Sequence, residues 1–314
     1  MKEPDLQPLG VGEILDRAVT LFVRRFAPLV LILAVVAAPA AILQYIGAPA
    51  RASMFAEFQR LIMVPPGHPE QTAAILRRIS EQNHFSFASA LALLLTFAVG
   101  PLAATACSIA AARSYRGHAP SVRDAYRDAL HRWIPQLVTG LVFVALGVVL
   151  FVLIFVVTFV VTLMIVALSA ASPVAAFVVG IPIAIAASLA VLGAGMLLFL
   201  AWELASVSVA LEEPNPVTAI ASGFRRTFAK DMFWRSLLVA AILFAVSIIG
   251  SLVLVASATT LALVTHVAAL YPIVLGIGNV VLGALLSAYL VVYWYDLRVR
   301  REGYDLALAA EALP

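Results

Sequence analysis

The sequence predicts an all-α integral membrane protein with six transmembrane helices, arranged as three hairpins that are each preceded by an amphipathic helix on the cytoplasmic surface. Three observations support this prediction: the composition, six long apolar runs, and an uneven distribution of Arg and Lys. Of 314 residues, 63% are hydrophobic and 12% are charged, whereas soluble domains have about 25% charged residues. A soluble fold could not cover so much apolar surface, so the composition excludes that class.

The apolar runs are long enough to cross a bilayer. A spanning helix needs about 20 apolar residues, because each residue adds about 1.5 Å and unpaired backbone groups are costly in lipid. Six segments satisfy this need, at residues 26–47, 87–112, 135–168, 175–211, 236–261 and 269–293. The third and fourth exceed it, which predicts tilt, a kink near Pro182 or extension beyond the membrane, with a turn at 169–173.

The basic residues predict the orientation. If the six segments cross the membrane one after another, 16 of the 20 Lys and Arg residues lie on one side of it. The other side has Arg51, Arg60, Arg77 and Arg78. Because cytoplasmic loops carry the excess of Lys and Arg, both termini are expected in the cytoplasm. The segment 48–86 then becomes the one substantial outer loop, with two short helical stretches on either side of Pro65, and 294–314 becomes a cytoplasmic tail.

The inner segments before the odd-numbered spans resemble one another. In 11–25, the residues Val11, Leu15, Ala18 and Phe22 share one helical face, and the segments 122–133 and 217–234 show similar faces. Helices of this kind lie in the membrane interface with their cations near anionic headgroups. The predicted lipid contacts are Arg24, Arg25, Arg123, Arg127, Arg225, Arg226 and Lys230. The alternative is a chance likeness, since any basic loop beside a membrane helix looks amphipathic.

Glu203 is the acidic residue embedded within an apolar span. An ionisable group inside the membrane costs roughly 2.5 kcal/mol or more unless it is paired or hydrated, so it suggests a ligand or proton site. A structural role is the alternative, with Glu203 bonded to Ser206, Tyr289 or an arginine that reaches into the membrane.

The sequence contains few groups suited to redox, metal or catalytic chemistry. Cys107 is the single cysteine and lies inside an apolar run, and the five histidines show no metal-ligand spacing. We therefore expect no cofactor, no metal and no catalytic residues. The net charge of +3 is small and occurs in clusters beside the apolar runs, which does not favour a nucleic-acid partner.

Two terminal motifs resemble a known family. Residues 12–18 (GEILDRA), an inner Tyr115-Arg116-Gly117 loop and residues 295–305 (YDLRVRREGYD) are similar to a largely uncharacterised bacterial multi-pass family named for the membrane domain of glycerophosphoryl diester phosphodiesterase. The resemblance covers nearly the whole chain and implies a bacterial plasma-membrane protein. In fused relatives the phosphodiesterase chemistry belongs to a separate barrel domain of roughly 250 residues. The resemblance therefore does not imply phosphodiesterase activity for these spans.

The same motifs predict a contact between the first and last elements. Glu13, Asp16 and Arg17 lie on adjacent turns of the first helix, while Asp296, Arg298, Arg300 and Arg301 follow the last span. We expect Glu13 or Asp16 to pair with Arg298, Arg300 or Arg301 as a charge lock at the cytoplasmic face.

These observations favour a non-catalytic scaffold or accessory protein that engages membrane lipids or a membrane or cytoplasmic partner protein. The alternative function is a transporter or lipid-handling protein with a cavity between the hairpins near Glu203. A transporter needs several convergent polar groups at the membrane midplane, and Glu203 is one group.

Overall fold

The computed structural model describes residues 8–46, 64, 69–82, 87–212, 215–265, 267 and 270–303, and these residues form helices and no strand. The longer helices are α1 (Val11–Arg24), α2 (Phe26–Ile46), α3 (Pro69–Gln82), α4 (Phe87–Tyr115), α5 (Val122–Leu130), α6 (Trp133–Ala171), α7 (Ile181–Leu211), α8 (Pro216–Thr227), α9 (Phe233–Thr265) and α10 (Leu270–Glu302). A helical turn at Pro173–Ala175 and a π-helical turn at Ala176–Gly180 lead into α7.

Six of these helices are long and apolar enough to cross a membrane, and they coincide with the six predicted spans. The chain is therefore a multi-pass membrane protein. The turn between α6 and α7 falls at Ser172, whose extended backbone ends α6, as the segment 169–173 predicted. Pro182 lacks the amide hydrogen that would bond to residue 178, which accounts for the loosened π-helical turn just before it.

The last helix extends past the predicted end of the sixth span at residue 293. Within the predicted tail, 294–314, the described residues continue α10 without interruption to Glu302, and the helix ends at Gly303, which has a positive φ of 59°. Ten consecutive residues, Ala288–Leu297, are buried. A helix is buried on every side only where neighbours surround it, and α10 packs against α1, α2, α4, α7 and α9.

The packed core lies at one end of the helical bundle. We call this end of the bundle the basic end, and it is where α1, α5, α8 and the last turns of α10 meet. Its largest buried cluster combines residues of α1, α2, α4, α5, α7, α9 and α10, with Trp294 and Tyr293 at most 1% exposed. Farther along α6, Phe151, Phe155 and Phe159 remain 56% to 68% exposed. Lipid is as apolar as these side chains, so nothing drives their burial.

The helix α6 is much longer than the hydrocarbon core. It has 39 residues, which corresponds to about 58 Å against a core of about 30 Å. The predicted excess length of the third and fourth spans is therefore confirmed.

Three short helices begin at the predicted positions, and each has a local capping contact. The Glu13 carboxylate accepts the Gly10 amide hydrogen at 2.6 Å, Ser121 Oγ accepts from Asp124 at 3.3 Å, and Asn215 Oδ1 accepts from Val217 at 3.0 Å. Such contacts satisfy amide groups that the first turn of a helix leaves unpaired.

The buried faces of these helices differ in part from the predicted ones. In α1 the buried residues are Ile14, Ala18 and Leu21, so Leu15 of the predicted face turns outward. In α8 the small residues Ala219 and Gly223 are buried, whereas Ile220 and Phe224 of the predicted apolar face are half-buried and pack at the edge of the contact with α7. Small residues allow two helix backbones to approach closely, and α8 packs along α7.

The helix α5 docks deeply against its neighbours. Tyr126 donates a hydrogen bond to the Ile32 carbonyl oxygen at 2.6 Å, and just after α5 the indole of Trp133, the first residue of α6, donates to the Ala98 carbonyl oxygen at 2.6 Å. Burial raises the pKa of Tyr126 to about 12, which keeps its hydroxyl protonated as the donor. Ala98 lies just before Pro101, and a proline inside a helix displaces the carbonyl groups of the preceding turn.

The outer loop is described in part. The second predicted outer helix, around Ile75 and Leu76, is confirmed as α3. The first, around Met54 to Ile62, lies outside the described residues.

The contact between α8 and α7 predicts a steric sensitivity at Gly223. A Cβ atom at this position would lie 2.5 Å from the Ala201 carbonyl oxygen and 3.0 Å from the Ala205 Cβ. We expect Gly223→Ala to lower the free energy of unfolding by about 1–3 kcal/mol because the two helices must separate. The matched control is Gly140→Ala in α6, where no atom lies within 4 Å of the added Cβ. Unfolding in detergent measures both, and equal stability of the two variants would contradict this packing.

Candidate functional site

A network of charges around Asp296 joins the first and last elements at the basic end. The Asp296 side chain is fully buried, and it accepts hydrogen bonds from the Leu9 amide at 2.7 Å and from Arg235 at 2.8 Å. Arg300, one turn later, donates to the same carboxylate at 3.0 Å. Arg235 and Arg300 also donate to the Leu9 carbonyl oxygen, at 2.6 and 2.7 Å. The Asp296 carboxylate, the two guanidinium groups and the backbone amide and carbonyl of Leu9 thus bind one another, while the buried Nε of Arg235 has no hydrogen-bond partner among the described residues.

A second network surrounds Arg226 of α8. Its side chain is 5% exposed and forms ion pairs with Glu212 at 2.6 Å and with Glu302 at 2.8 Å. It also donates to Ser208 at 2.8 Å. Burial lowers the pKa of the Arg226 guanidinium, but hydrogen bonds and attraction from the two carboxylates outweigh burial and raise that pKa above its ordinary value. The network connects the ends of α7, α8 and α10.

The indole of Trp294 lies close to the second network. The guanidinium carbons of Arg298 and Arg226 are 5.1 and 5.7 Å from the centre of its ring. A buried indole in contact with guanidinium groups gains cation–π attraction. The neighbouring Tyr295 ring packs on Tyr115 of α4, with ring centres 5.2 Å apart.

A polar cavity of about 390 Å³ opens beside the second network. Its walls combine hydroxyl and charged groups, from Ser208, Glu212, Thr218, Ser222, Arg225, Arg226 and Glu302. Since the Arg226 guanidinium is already held by two carboxylates and a serine, its role at this cavity is to hold α8 against α7 and α10.

Arg132 forms a third connection at the basic end. Its guanidinium donates to the carbonyl oxygens of Val209 at 3.0 Å and of Ala210. These carbonyls belong to the last turn of α7, where a cation compensates unpaired acceptors. Burial lowers the pKa of Arg132, and the charge of Asp128 acts in the opposite direction.

The structure distributes the predicted lipid contacts unevenly. Arg24, Arg123, Arg127, Arg225 and Lys230 are exposed, and Arg25 is half-buried. Arg226 is buried in its ion pairs, so its prediction as a lipid contact is wrong. The reason is the packing of the small face of α8 against α7, which turns Arg226 inward. Arg127 also pairs with Asp124 at 3.4 Å.

The predicted pairing of Glu13 or Asp16 with Arg298, Arg300 or Arg301 is not found among the described residues. Other groups join the first and last elements. Asp296 and Arg300 meet the backbone of Leu9, whereas Glu13 caps its own helix and Asp16 is exposed. The other predicted members have partners elsewhere: Arg17 reaches the Tyr115 hydroxyl at 3.4 Å, Arg298 binds Glu302 at 2.7 Å, and Arg301 donates to the Arg225 carbonyl oxygen at 3.2 Å.

Glu203 lies apart from both networks. It is half-buried in α7, and among the described residues it has no hydrogen bond or ion pair. It lines neither the polar cavity nor the apolar groove described below. The described part of the chain also contains no group of three or more His, Cys, Asp or Glu residues suited to a metal.

Several residues of the networks escaped the sequence prediction. Arg235, Glu212 and Glu302 were treated only as charges at the ends of spans. The spacing of Ala219, Ser222, Gly223 and Arg226 on one helical face was a usable signal, because small residues at that spacing indicate a close helix contact.

Comparison of the chain with protein-family models, curated proteins and solved structures finds no match in any of the three. The resemblance to the membrane-domain family therefore stays an expectation. Any functional conclusion must come from the geometry of the basic end.

The Asp296 network predicts a large loss of stability in Asp296→Asn. The variant keeps the side-chain shape but leaves Arg235 and Arg300 without their counter-charge, and breaking a buried pair costs about 3 kcal/mol or more. The control is Asp124→Asn, whose exposed pair with Arg127 should contribute at most about 1 kcal/mol. Chemical unfolding in detergent measures both losses. If Asp296→Asn costs no more than Asp124→Asn, the network does not hold the chain ends together.

Two adjacent arginines of α8 provide a matched comparison. Arg226→Gln should lower the free energy of unfolding by about 1–3 kcal/mol, because Glu212 and Glu302 lose their buried partner and keep only Arg298. Arg225→Gln removes an exposed charge and should change it by no more than about 0.5 kcal/mol. Thermal melting of both purified variants checks the difference. A reversed order of stability would show that Arg225 is the buried residue.

Proposed function

We propose that this chain is a non-catalytic membrane scaffold or accessory protein that binds anionic lipid headgroups through the basic end. The observation that carries the proposal is the division of its cations. Asp296, Glu212 and Glu302 hold the inward cations Arg235 and Arg226. The exposed cations, by contrast, include Arg24, Arg123, Arg127, Arg225 and Lys230.

The exposed cations come from all three short helices. Arg24 belongs to α1, Arg123 to α5 and Arg225 to α8, and Lys230 lies three residues after the end of α8. Cations on one surface of a membrane protein attract anionic headgroups by about 1 kcal/mol each. In the proposed arrangement, α1, α5 and α8 lie at the cytoplasmic interface and each introduces one hairpin, α2 with α4, α6 with α7, and α9 with α10. The packing of the two helices within each of these pairs supports this arrangement.

The pairing of the acidic groups supports a non-catalytic role. A carboxylate that accepts hydrogen bonds from arginine is stabilised in its charged form and is a poor base. Burial raises the pKa of the Glu302 carboxyl, but hydrogen bonds and attraction from Arg226 and Arg298 outweigh burial and lower that pKa below its ordinary value. The proposed location is a bacterial plasma membrane with both termini in the cytoplasm, which the distribution of Arg and Lys and the family resemblance favour.

Neutralising exposed cations tests the proposal. The triple variant Arg123→Gln, Arg225→Gln, Lys230→Gln is reconstituted in phosphatidylcholine bilayers that contain a minor fraction of phosphatidylglycerol. Native mass spectrometry then counts the retained lipids. We expect the preference for phosphatidylglycerol to fall about fivefold for each cation removed, since each contributes about 1 kcal/mol.

The control is the variant Arg77→Gln, Arg78→Gln in α3, which the chain order places on the opposite side of the membrane. It should retain the wild-type preference. If the triple variant also retains that preference, the basic end does not select anionic lipid.

A further inference from the structure

An apolar groove runs along the outside of the bundle between α2 and α10. It encloses about 650 Å³, and its ten lining residues are all apolar. Ala34, Ala37, Ala38 and Ala41 of α2 form much of its surface, together with Gly276 of α10. Their small side chains leave a depression where the neighbouring spans carry large aliphatic residues.

The groove is open toward the lipid. Its walls include Ile42 and Ile277, which are 60% and 63% exposed. Its base is narrow, because a Cβ atom at Gly276 would lie only 3.1 Å from the Ala41 Cβ. A chain of methylene groups fits a narrow apolar channel of this kind, and no polar group of the groove would need to be satisfied.

The length of the groove matches one leaflet of a bilayer. It extends along α2 from Val30 to Ile42, which is 12 residues and therefore about 18 Å. The acyl chains of one leaflet occupy about 15 Å, half of the hydrocarbon core.

Two cations directly precede α2 in the chain, on the side of the groove that faces the basic end. Arg24 closes α1, Arg25 forms the junction, and α2 begins at Phe26. Arg25 precedes Val30 by five residues, about 7.5 Å of helical rise. Among the described residues neither arginine side chain has a hydrogen bond or ion pair. A phosphate group at this height would supply the missing counter-charge.

We propose that the groove holds one acyl chain of an anionic phospholipid from the leaflet at the basic end, with the lipid phosphate bound by Arg24 and Arg25. The position of the arginine pair at the groove mouth identifies the occupant as a phospholipid. A helix of a second copy would fill the apolar part but would leave the two cations uncompensated. The inference deepens the proposed function and rests on it, because it assigns one particular lipid site within the basic end.

Photo-crosslinking in bilayers tests the site directly. The full-length protein is reconstituted in phosphatidylcholine bilayers with phosphatidylglycerol or phosphatidylcholine that carries a diazirine on one acyl chain, and crosslinked peptides are identified by mass spectrometry. We expect crosslinks from phosphatidylglycerol within 30–42 and 273–280, at least about fivefold above those from phosphatidylcholine, since two cations face the phosphate.

Two variants separate the parts of the site. Ala38→Phe fills the groove at an exposed alanine and should abolish these crosslinks, whereas Ala190→Phe, at an exposed alanine of α7, should leave them unchanged. Arg24→Gln with Arg25→Gln should retain crosslinks but lose the preference for phosphatidylglycerol.

Three results would overturn the inference: equal crosslinking by the two lipids in the wild-type protein, unchanged crosslinks in Ala38→Phe, or crosslinks between two protein copies at the groove. None of these depends on Arg123, Arg225 or Lys230. The groove can therefore fail while the general lipid preference of the basic end remains, and the reverse can also occur.

Discussion

The charge of the buried Asp296 carboxylate is the constraint on which the basic end depends. A buried carboxylate is tolerated only with hydrogen bonds and opposite charge around it. Asp296 obtains these from three parts of the chain, the Leu9 amide before α1, Arg235 at the start of α9 and Arg300 of its own helix. Compensation of one charge therefore determines where the first element, the fifth span and the last helix meet.

The buried Arg226 guanidinium likewise requires opposite charges around it, and it finds them at the last turn of α10 and the end of α7. Its partners, Glu212 and Glu302, stand at the ends of α7 and α10. Between the two networks, the helix segment Ala288–Leu297 is enclosed on all sides. The basic end consequently resembles the core of a soluble protein, with buried aromatic groups and paired charges, whereas the rest of the spans present large apolar side chains to lipid.

This contrast between the two ends bears on function. The densely packed part of the molecule is also the part that carries the exposed cations. The apolar groove between α2 and α10 begins close to Arg24 and Arg25 and continues into the membrane. A surface that combines exposed cations with an adjoining apolar groove is complementary to an anionic phospholipid, which is charged at one end and apolar along its length.

Particular elements show what the sequence by itself determined. The six spans and the starts of α1, α5 and α8 were predictable, because apolar length and local capping groups act within one segment. The turn at Ser172 followed from a break in the apolar pattern. The importance of Asp296 and Arg300 was also visible, since charges directly after a span must find partners. The faces of the short helices, however, were predicted only in part.

Only the tertiary structure decided which charges turn inward. Arg225 and Arg226 are neighbours with the same chemistry, yet one is exposed and the other is buried. Their difference arises from the close approach of Gly223 to Ala201, which sets the rotation of α8 about its axis. Likewise, α10 had to be seen among its neighbours before Trp294 and Tyr295 could be placed in the core. Composition determines that a segment enters the membrane, but burial and ion pairing depend on what the other helices place beside it.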